Sequence, residues 1–186
     1  GDCIEKEKKK LADTKLKAIP TSLGPIHILV SLGGGSEISD SLNFKIVQSF
    51  AALENWNGSA TVIVGKMGKI SQQLIELANQ VSWEINVSEH VENMVPEMLK
   101  SDIAIVSGGS TMWELLYMKV PFLAISLNKV QQSYLEFLEL EELCVNLGWY
   151  EQLSLERINN TLCDFVQDET YRSKILDHAD LLLERE

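Results

Sequence analysis

Apolar residues along this chain fall into two alternating rhythms. Short runs that are apolar at nearly every position give way to longer stretches in which apolar residues recur every three or four positions. The first run, Ile26-His27-Ile28-Leu29-Val30, ends in Leu32-Gly33-Gly34-Gly35-Ser36, and Phe44, Val47, Phe50 and Ala51 follow at helical spacing. Ala60–Val64 is a second run, closed by Gly65, and Ile70, Leu74, Leu77 and Ala78 repeat the helical period up to Gln80. Trp83–Val87 is a third, shorter run, followed by a short helix over Val91–Leu99. Asp102–Val106 and Pro121–Ile125 are the fourth and fifth runs, separated by a helix that leaves Gly108-Gly109-Ser110-Thr111 and reaches Met118. Helices over Gln131–Leu138, Leu155–Phe165 and Tyr171–Leu183 finish the pattern.

Runs that are apolar throughout are strands buried on both faces. Their alternation with amphipathic helices predicts an α/β fold, a parallel sheet with helices on both faces. Ligands in such sheets sit beyond the carboxyl ends of the strands. The loops after Val30, Val64, Val87, Val106 and Ile125 therefore form the candidate site. The rhythm begins only after Pro20, Gly24 and Pro25 punctuate the chain. Residues 2–17 are a charged, helix-prone lead in which Lys8-Lys9-Lys10 reads as a solvated helix end or a linker. The chain thus divides into a linker or interdomain-helix remnant, 1–25, and one domain, 26–186. Gly1 in place of an initiator Met marks a processed or excised chain, with a longer parent protein expected.

Composition narrows the partners. The 186 residues suffice for a single sizeable core, and 45% hydrophobic with 23% charged is a globular balance. The net charge of −11 argues against nucleic acid and anionic membrane, which need a basic face. A small anion is different, because backbone N–H groups at a helix start can hold one without Lys or Arg. Cys3, Cys144 and Cys163 are odd in number, widely spaced and without a CxxC. They carry no readable zinc or redox motif and suit a reducing cytoplasm. No run is long enough to span a bilayer, and residues 1–10 lack the apolar core of a signal peptide. No cofactor is implied. No His, Asp or Cys cluster has metal-ligand spacing, and Mg²⁺ would be held only through a bound diphosphate.

Four segments carry chemistry. Gly33-Gly34-Gly35-Ser36 follows a strand and leads to a helix, so it is either a bare tight turn or an anion cradle. It is neither G-x-G-x-x-G nor a Walker A loop. Ser107-Gly108-Gly109-Ser110-Thr111 adds hydroxyls to the free amides of a helix start. Glu114 stands three residues after Thr111, and that spacing favours a capping box over a carboxylate gripping a ribose. The segment His90–Met98 offers a loop His, and backbone groups near Val91 and Met94 that could face a base. Asn128 and Gln131, past the fifth strand, are either sugar-facing amides or a polar helix start.

Together these segments resemble a known family. Val91-x-Asn93-Met94-x-x-x-Met98-x-x-x-Asp102-Ile103-Ala104-Ile105, then Gly108-Gly109-Ser110-Thr111-x-Trp113-Glu114, then Val120-Pro121, is similar to the C-terminal half of GT-B nucleotide-sugar enzymes. The likeness is greatest to the UDP-sugar hydrolases of pseudaminic-acid synthesis and the related spore-coat polysaccharide biosynthesis proteins. It extends more distantly to the N-acetylglucosaminyltransferase that makes lipid II, and it covers Ile26 to Leu182. The resemblance implies a Rossmann-like domain that binds a UDP-sugar. It puts Gly34, Gly35, Ser110 and Thr111 at the diphosphate, Val91 and Met94 at the uracil, and Glu114 on the ribose. Asn128 and Gln131 match an adjacent Asn-Gln facing the sugar, here split by Lys129 and Val130. Leu147-Gly148 matches a Leu-Gly placed after the next strand.

The same resemblance implies a missing partner, the N-terminal domain that carries the hydrolases' catalytic His. None of His27, His90 or His178 stands in a matching context. The expectation is a nucleotide-sugar-binding half of a surface-polysaccharide or nonulosonic-acid hydrolase, inactive alone. The alternatives are the donor half of a GT-B glycosyltransferase and a non-catalytic module of an activated-sugar synthetase.

Overall fold

The computed structural model describes residues 25–53 and 56–183, so the lead segment and Cys3 lie outside the described residues. Six strands form one parallel sheet: β1 (His27–Ser31), β2 (Ser59–Ile63), β3 (Glu84–Ser88), β4 (Ile103–Ser107), β5 (Phe122–Ser126) and β6 (Val145–Trp149). Their order across the sheet is β3-β2-β1-β4-β5-β6. Among the described residues seven α-helices connect and cover them: α1 (Glu37–Phe50), α2 (Gln72–Gln80), α3 (Val95–Lys100), α4 (Ser110–Met118), α5 (Lys129–Leu140), α6 (Leu155–Gln167) and α7 (Glu169–Leu183).

The pleat divides each apolar run between two cores. Ile28, Val30, Ile103, Ile105, Leu123 and Ile125 face α1, α2 and α6, where Ile46, Phe50, Leu74, Ile158 and Leu162 meet them. Leu29, Ala104, Val106, Phe122 and Ala124 face α3, α4 and α5, against Met98, Leu115 and Leu135. Each Ile, Leu, Val, Phe or Met among them contributes about 1.5–3 kcal/mol by leaving water. Helix α7 joins the two cores at one end, with Ile175 in the first and Ala179 in the second.

Two expected features differ in the structure. The chain does not pass from the fifth strand into helices alone, because β6 pairs with β5 at the sheet edge. Its sequence, Val145-Asn146-Leu147-Gly148-Trp149, is not continuously apolar. The register slips opposite Ala124 and Ile125, and Gly148 takes φ 95°. Leu147-Gly148 therefore lies inside this strand rather than after it. The helix expected over Val91–Leu99 begins only at Val95. Asn93 Oδ1 accepts the Val95 amide at 3.0 Å, closing a turn before the helix, and Pro96 sits in its first turn.

At the amino edge of the sheet, His27 ties β1 to its neighbours. Its ring nitrogens lie 2.7 Å from Ser59 Oγ and 3.1 Å from Thr61 Oγ1, and its amide donates to Asp102 Oδ2 at 2.8 Å. Burial lowers the pKa of the imidazole, opposed by the Asp102 carboxylate. The fold thus prefers the neutral ring. Its stabilising contribution is complete above the unfolded-state value of about 6.5 and is lost as pH falls below it. Urea midpoints are expected to drop between about pH 7.5 and 5.5, and to drop less in His27→Gln. Equal drops in both proteins would assign the effect to other groups.

Candidate functional site

Strands β1 and β4 are neighbours at the centre of the sheet, and the chain leaves them toward opposite edges. A crevice forms where two such connections diverge. Both glycine turns are there: Gly33–Ser36 after β1, and Gly108-Gly109 after β4. They lie side by side, for a Cβ placed on Gly33 would stand 3.8 Å from Ser107 Oγ.

The second turn ends in an open helix start. Gly109, extended at φ −96° and ψ −163°, is the N-cap of α4 and has no side chain to close it. Its own amide donates to Ser107 O at 2.7 Å, and Met112 N donates back to Gly109 O at 3.3 Å. The amides of Ser110 and Thr111 have no intramolecular acceptor among the described residues. By contrast Ser36, Ser71, Asn128 and Ser154 cap α1, α2, α5 and α6 with their side chains. The capping box expected from Thr111 and Glu114 is not formed, because the helix starts earlier and Thr111 is already inside it. Glu114 is exposed without a partner among the described residues, one turn beyond Ser110 on the same face.

Helix α5 roofs this turn. A Cβ on Gly108 would lie 2.8 Å from Gln131 Cβ and 3.2 Å from Leu135 Cγ, so only glycine admits α5 this closely. Gln131 Oε1 accepts the Leu127 amide at 2.8 Å, and its Nε2 comes to 4.0 Å from the Cβ position of Gly109. Its NH₂ group therefore stands at the turn. Asn128 is a helix cap: its Oδ1 accepts Gln131 N at 3.0 Å. Beside α5 lies an exposed aromatic pair, Trp113 and Tyr134, edge to face at 6.3 Å.

The first turn is largely occupied with its neighbour. Gly35 (φ 95°) and Gly65 (φ 98°) interlock: a Cβ on Gly35 would lie 2.0 Å from Gly68 N, and one on Gly65 2.4 Å from Gly33 O. Met67 N donates to Gly34 O at 2.8 Å. Only Gly34 opens to free space. The sequence places this loop after Val64 at the candidate site but assigns none of its residues a role; Gly65 and Gly68 around two lysines are the signal it offers. Gly65 N in turn donates to Glu89 O at 2.8 Å, so the loops after β1, β2 and β3 form one hydrogen-bonded chain.

Beyond Glu89 the chain runs through Val91 and Met94. Both are half-buried against the core that holds α3 and α4, and α3 packs on α4. The histidines are apart from one another. His27 is at the opposite edge, and His178 on α7 lies 3.3 Å from Glu141 O and from Glu142 Oε2. His90 is exposed on the loop after β3. The Cys144 thiol is buried and its pKa pushed up to about 12 by that burial, far from a thiolate nucleophile. Among the described residues, no group of three His, Cys, Asp or Glu could hold a metal ion. No helix among them is long and apolar enough to cross a membrane.

Residues 29–177 match the glycosyltransferase family 28 C-terminal domain. The chain belongs to that family. Its fold is that of the C-terminal half of GT-B proteins. MurG from Acinetobacter baumannii superposes with a TM-score of 0.70 at 18% identity, over 87% of this chain and 46% of that one. The UDP-GlcNAc 2-epimerase from Neisseria meningitidis, bound to UDP-GlcNAc, gives 0.67 at 16%, over 99% and 52%. The C-terminal domain of a group 1 glycosyl transferase, LpcC from Francisella tularensis, gives 0.64 at 13%, over 96% and 91%. The chain thus spans about half the length of the first two. No curated protein matches it significantly. The glycosyltransferase family match lends no support to the narrower likeness to pseudaminic-acid hydrolases and spore-coat proteins.

The interlock predicts a contrast between glycines of the first turn. Gly65→Ala is expected to lose about 1–3 kcal/mol of stability and to speed exchange of the Met67 amide. Gly34→Ala, with open space, is expected to lose less than about 0.5 kcal/mol. Similar losses in chemical denaturation would contradict the interlock.

Proposed function

We propose that this family 28 domain is the donor-binding half of a glycosyltransferase, taking a nucleoside diphosphate sugar, foremost a UDP-sugar. The carrying observation is the uncapped start of α4 at the switch point, with an unpartnered Glu114 one turn along. Free amides at the positive end of a helix suit a diphosphate, to which Ser110 and Thr111 add hydroxyl donors. Gly34 approaches the same anion from across the crevice, with Gly35 as its support. Glu114, about 5–6 Å farther along the helix face, accepts hydrogen bonds from the ribose hydroxyls. Val91 and Met94 border the base, and the Gln131 NH₂ group faces the sugar, with Asn128 holding the helix start beneath it.

The family match favours transfer over hydrolysis, which rests on the sequence likeness alone. The catalytic base and the acceptor site are assigned to a second, N-terminal half, as in two-domain GT-B proteins. Calorimetry with UDP, CDP and UMP tests the donor site. UDP is expected to bind at micromolar to millimolar strength. Ser110→Ala is expected to weaken it about fivefold and Glu114→Ala more than about tenfold, as lost hydrogen bonds to charged partners do. Unchanged affinity in both variants would remove the assigned site. The chain alone is expected to release no UDP from UDP-sugars; measurable turnover would place a base within it.

A further inference from the structure

Among the described residues the cations divide into three groups. Lys100, Lys119 and Lys174 pair with Glu97, Asp180 and Glu142 at 3.1, 2.8 and 2.8 Å. Lys45, Arg157 and Arg172 donate to backbone carbonyls, including those of Leu153, Leu147 and Val166. The side chains of Lys66, Lys69 and Lys129 have no partner among the described residues, and all three residues are exposed.

These three are not scattered. Lys66 and Lys69 stand on the loop after β2, and Lys129 opens α5 after β5, so all lie at the carboxyl ends of the strands around the crevice. Lys100 and Lys119 stand at the opposite edge, shortly before β4 and β5. The lysine loop is held from both sides. Gly65 N bonds Glu89 O at 2.8 Å, Met67 N bonds Gly34 O at 2.8 Å, and Lys69 N bonds Asp40 Oδ2 at 3.3 Å. Glu37, Glu89, Glu92 and Glu114 share this edge, and none forms an ion pair with these lysines. A chain of net charge −11 repels an approaching anion, and unpaired cations beside a cleft offset that repulsion locally.

We propose that Lys66, Lys69 and Lys129 form a cationic rim that draws the diphosphate of the nucleotide sugar into the crevice. This rests on the donor-site reading above. The amides of Ser110 and Thr111 hold the bound anion, and the rim acts on its approach and on its outward-facing charge. Donor affinity then falls with salt, and that dependence resides in these lysines rather than in the net charge of the chain.

Two triple variants with equal loss of charge separate the cases. UDP binding is measured for the unaltered chain, for K66Q/K69Q/K129Q and for K100Q/K119Q/K174Q, from about 0.02 to 0.5 M ionic strength. The rim triple is expected to bind UDP about fivefold more weakly at the lowest salt and within about twofold at the highest. The remote triple is expected to stay within about twofold throughout, and UMP, with less charge, to lose less than UDP in the rim triple. Equal weakening by both triples would reduce the effect to net charge and overturn the rim. So would a rim triple that binds UDP like the unaltered chain at low salt. If the folded, unaltered chain binds no UDP at any salt, the donor-site reading fails first and the rim falls with it.

Discussion

Strands that are apolar on both faces can run in parallel only if the chain crosses a face between them, and here each crossing contains a helix. Every helix after a strand therefore starts at the same edge of the sheet. That constraint gathers the first-turn amides of α1 to α6 along one line, where each must find an acceptor. Ser36, Ser71, Asn128 and Ser154 supply it for four of these helices. At α4 the chain has Gly109, which supplies none, and α4 follows a central strand beside the divergence of β1 and β4. The requirement to bury the sheet thus produces both the crevice and the unsatisfied donors facing it.

The crevice keeps its shape through close contacts that glycine backbone makes possible. Gly35, Gly65 and Gly68 let the loops after β1 and β2 approach more closely than any Cβ allows, and Gly108 does the same for α5 over the β4 turn. Loops fixed in this way need no ordering when a ligand arrives, so less of the interaction energy is lost to conformational entropy. The same fixation projects Lys66 and Lys69 outward.

The buried strands were legible because each is apolar at nearly every position, Thr61 within β2 being an exception, and the turns because glycine follows each of β1, β2 and β4. The edge strand β6 was hidden by its polar Asn146 and its bulge at Gly148, since an edge strand need not be apolar on both faces. The start of α3 was placed too early, because helical spacing of Val91, Met94 and Met98 continues through the Asn93 turn that interrupts it. Spacing suggested a cap for Glu114, but a capping box also needs Thr111 at the N-cap position, and Gly109 takes that position instead. Glycine freed the start of the helix, and with it the carboxylate. The pairings of Lys119 and Lys174 were not readable, because Lys119 meets Asp180 and Lys174 meets Glu142 only through the packing of α7.

On the donor-site reading, the half-site still contributes to chemistry it does not complete. Sugar transfer breaks the bond between the anomeric carbon and a phosphate oxygen, and negative charge grows on that oxygen as the bond lengthens. Donors already aligned, the Ser110 and Thr111 amides at the positive end of α4, bind the developing charge more strongly than the ground state. No proton transfer is required for that effect. The group that deprotonates an incoming hydroxyl is another matter. His27 is engaged by Ser59 and Thr61 at the far edge, and His178 is bonded on α7. Only His90, on the β3 loop, stands on the crevice side, beside the segment assigned to the base rather than the sugar. On that reading this chain supplies leaving-group stabilisation, and the base that activates the acceptor hydroxyl is the part proposed for a second domain.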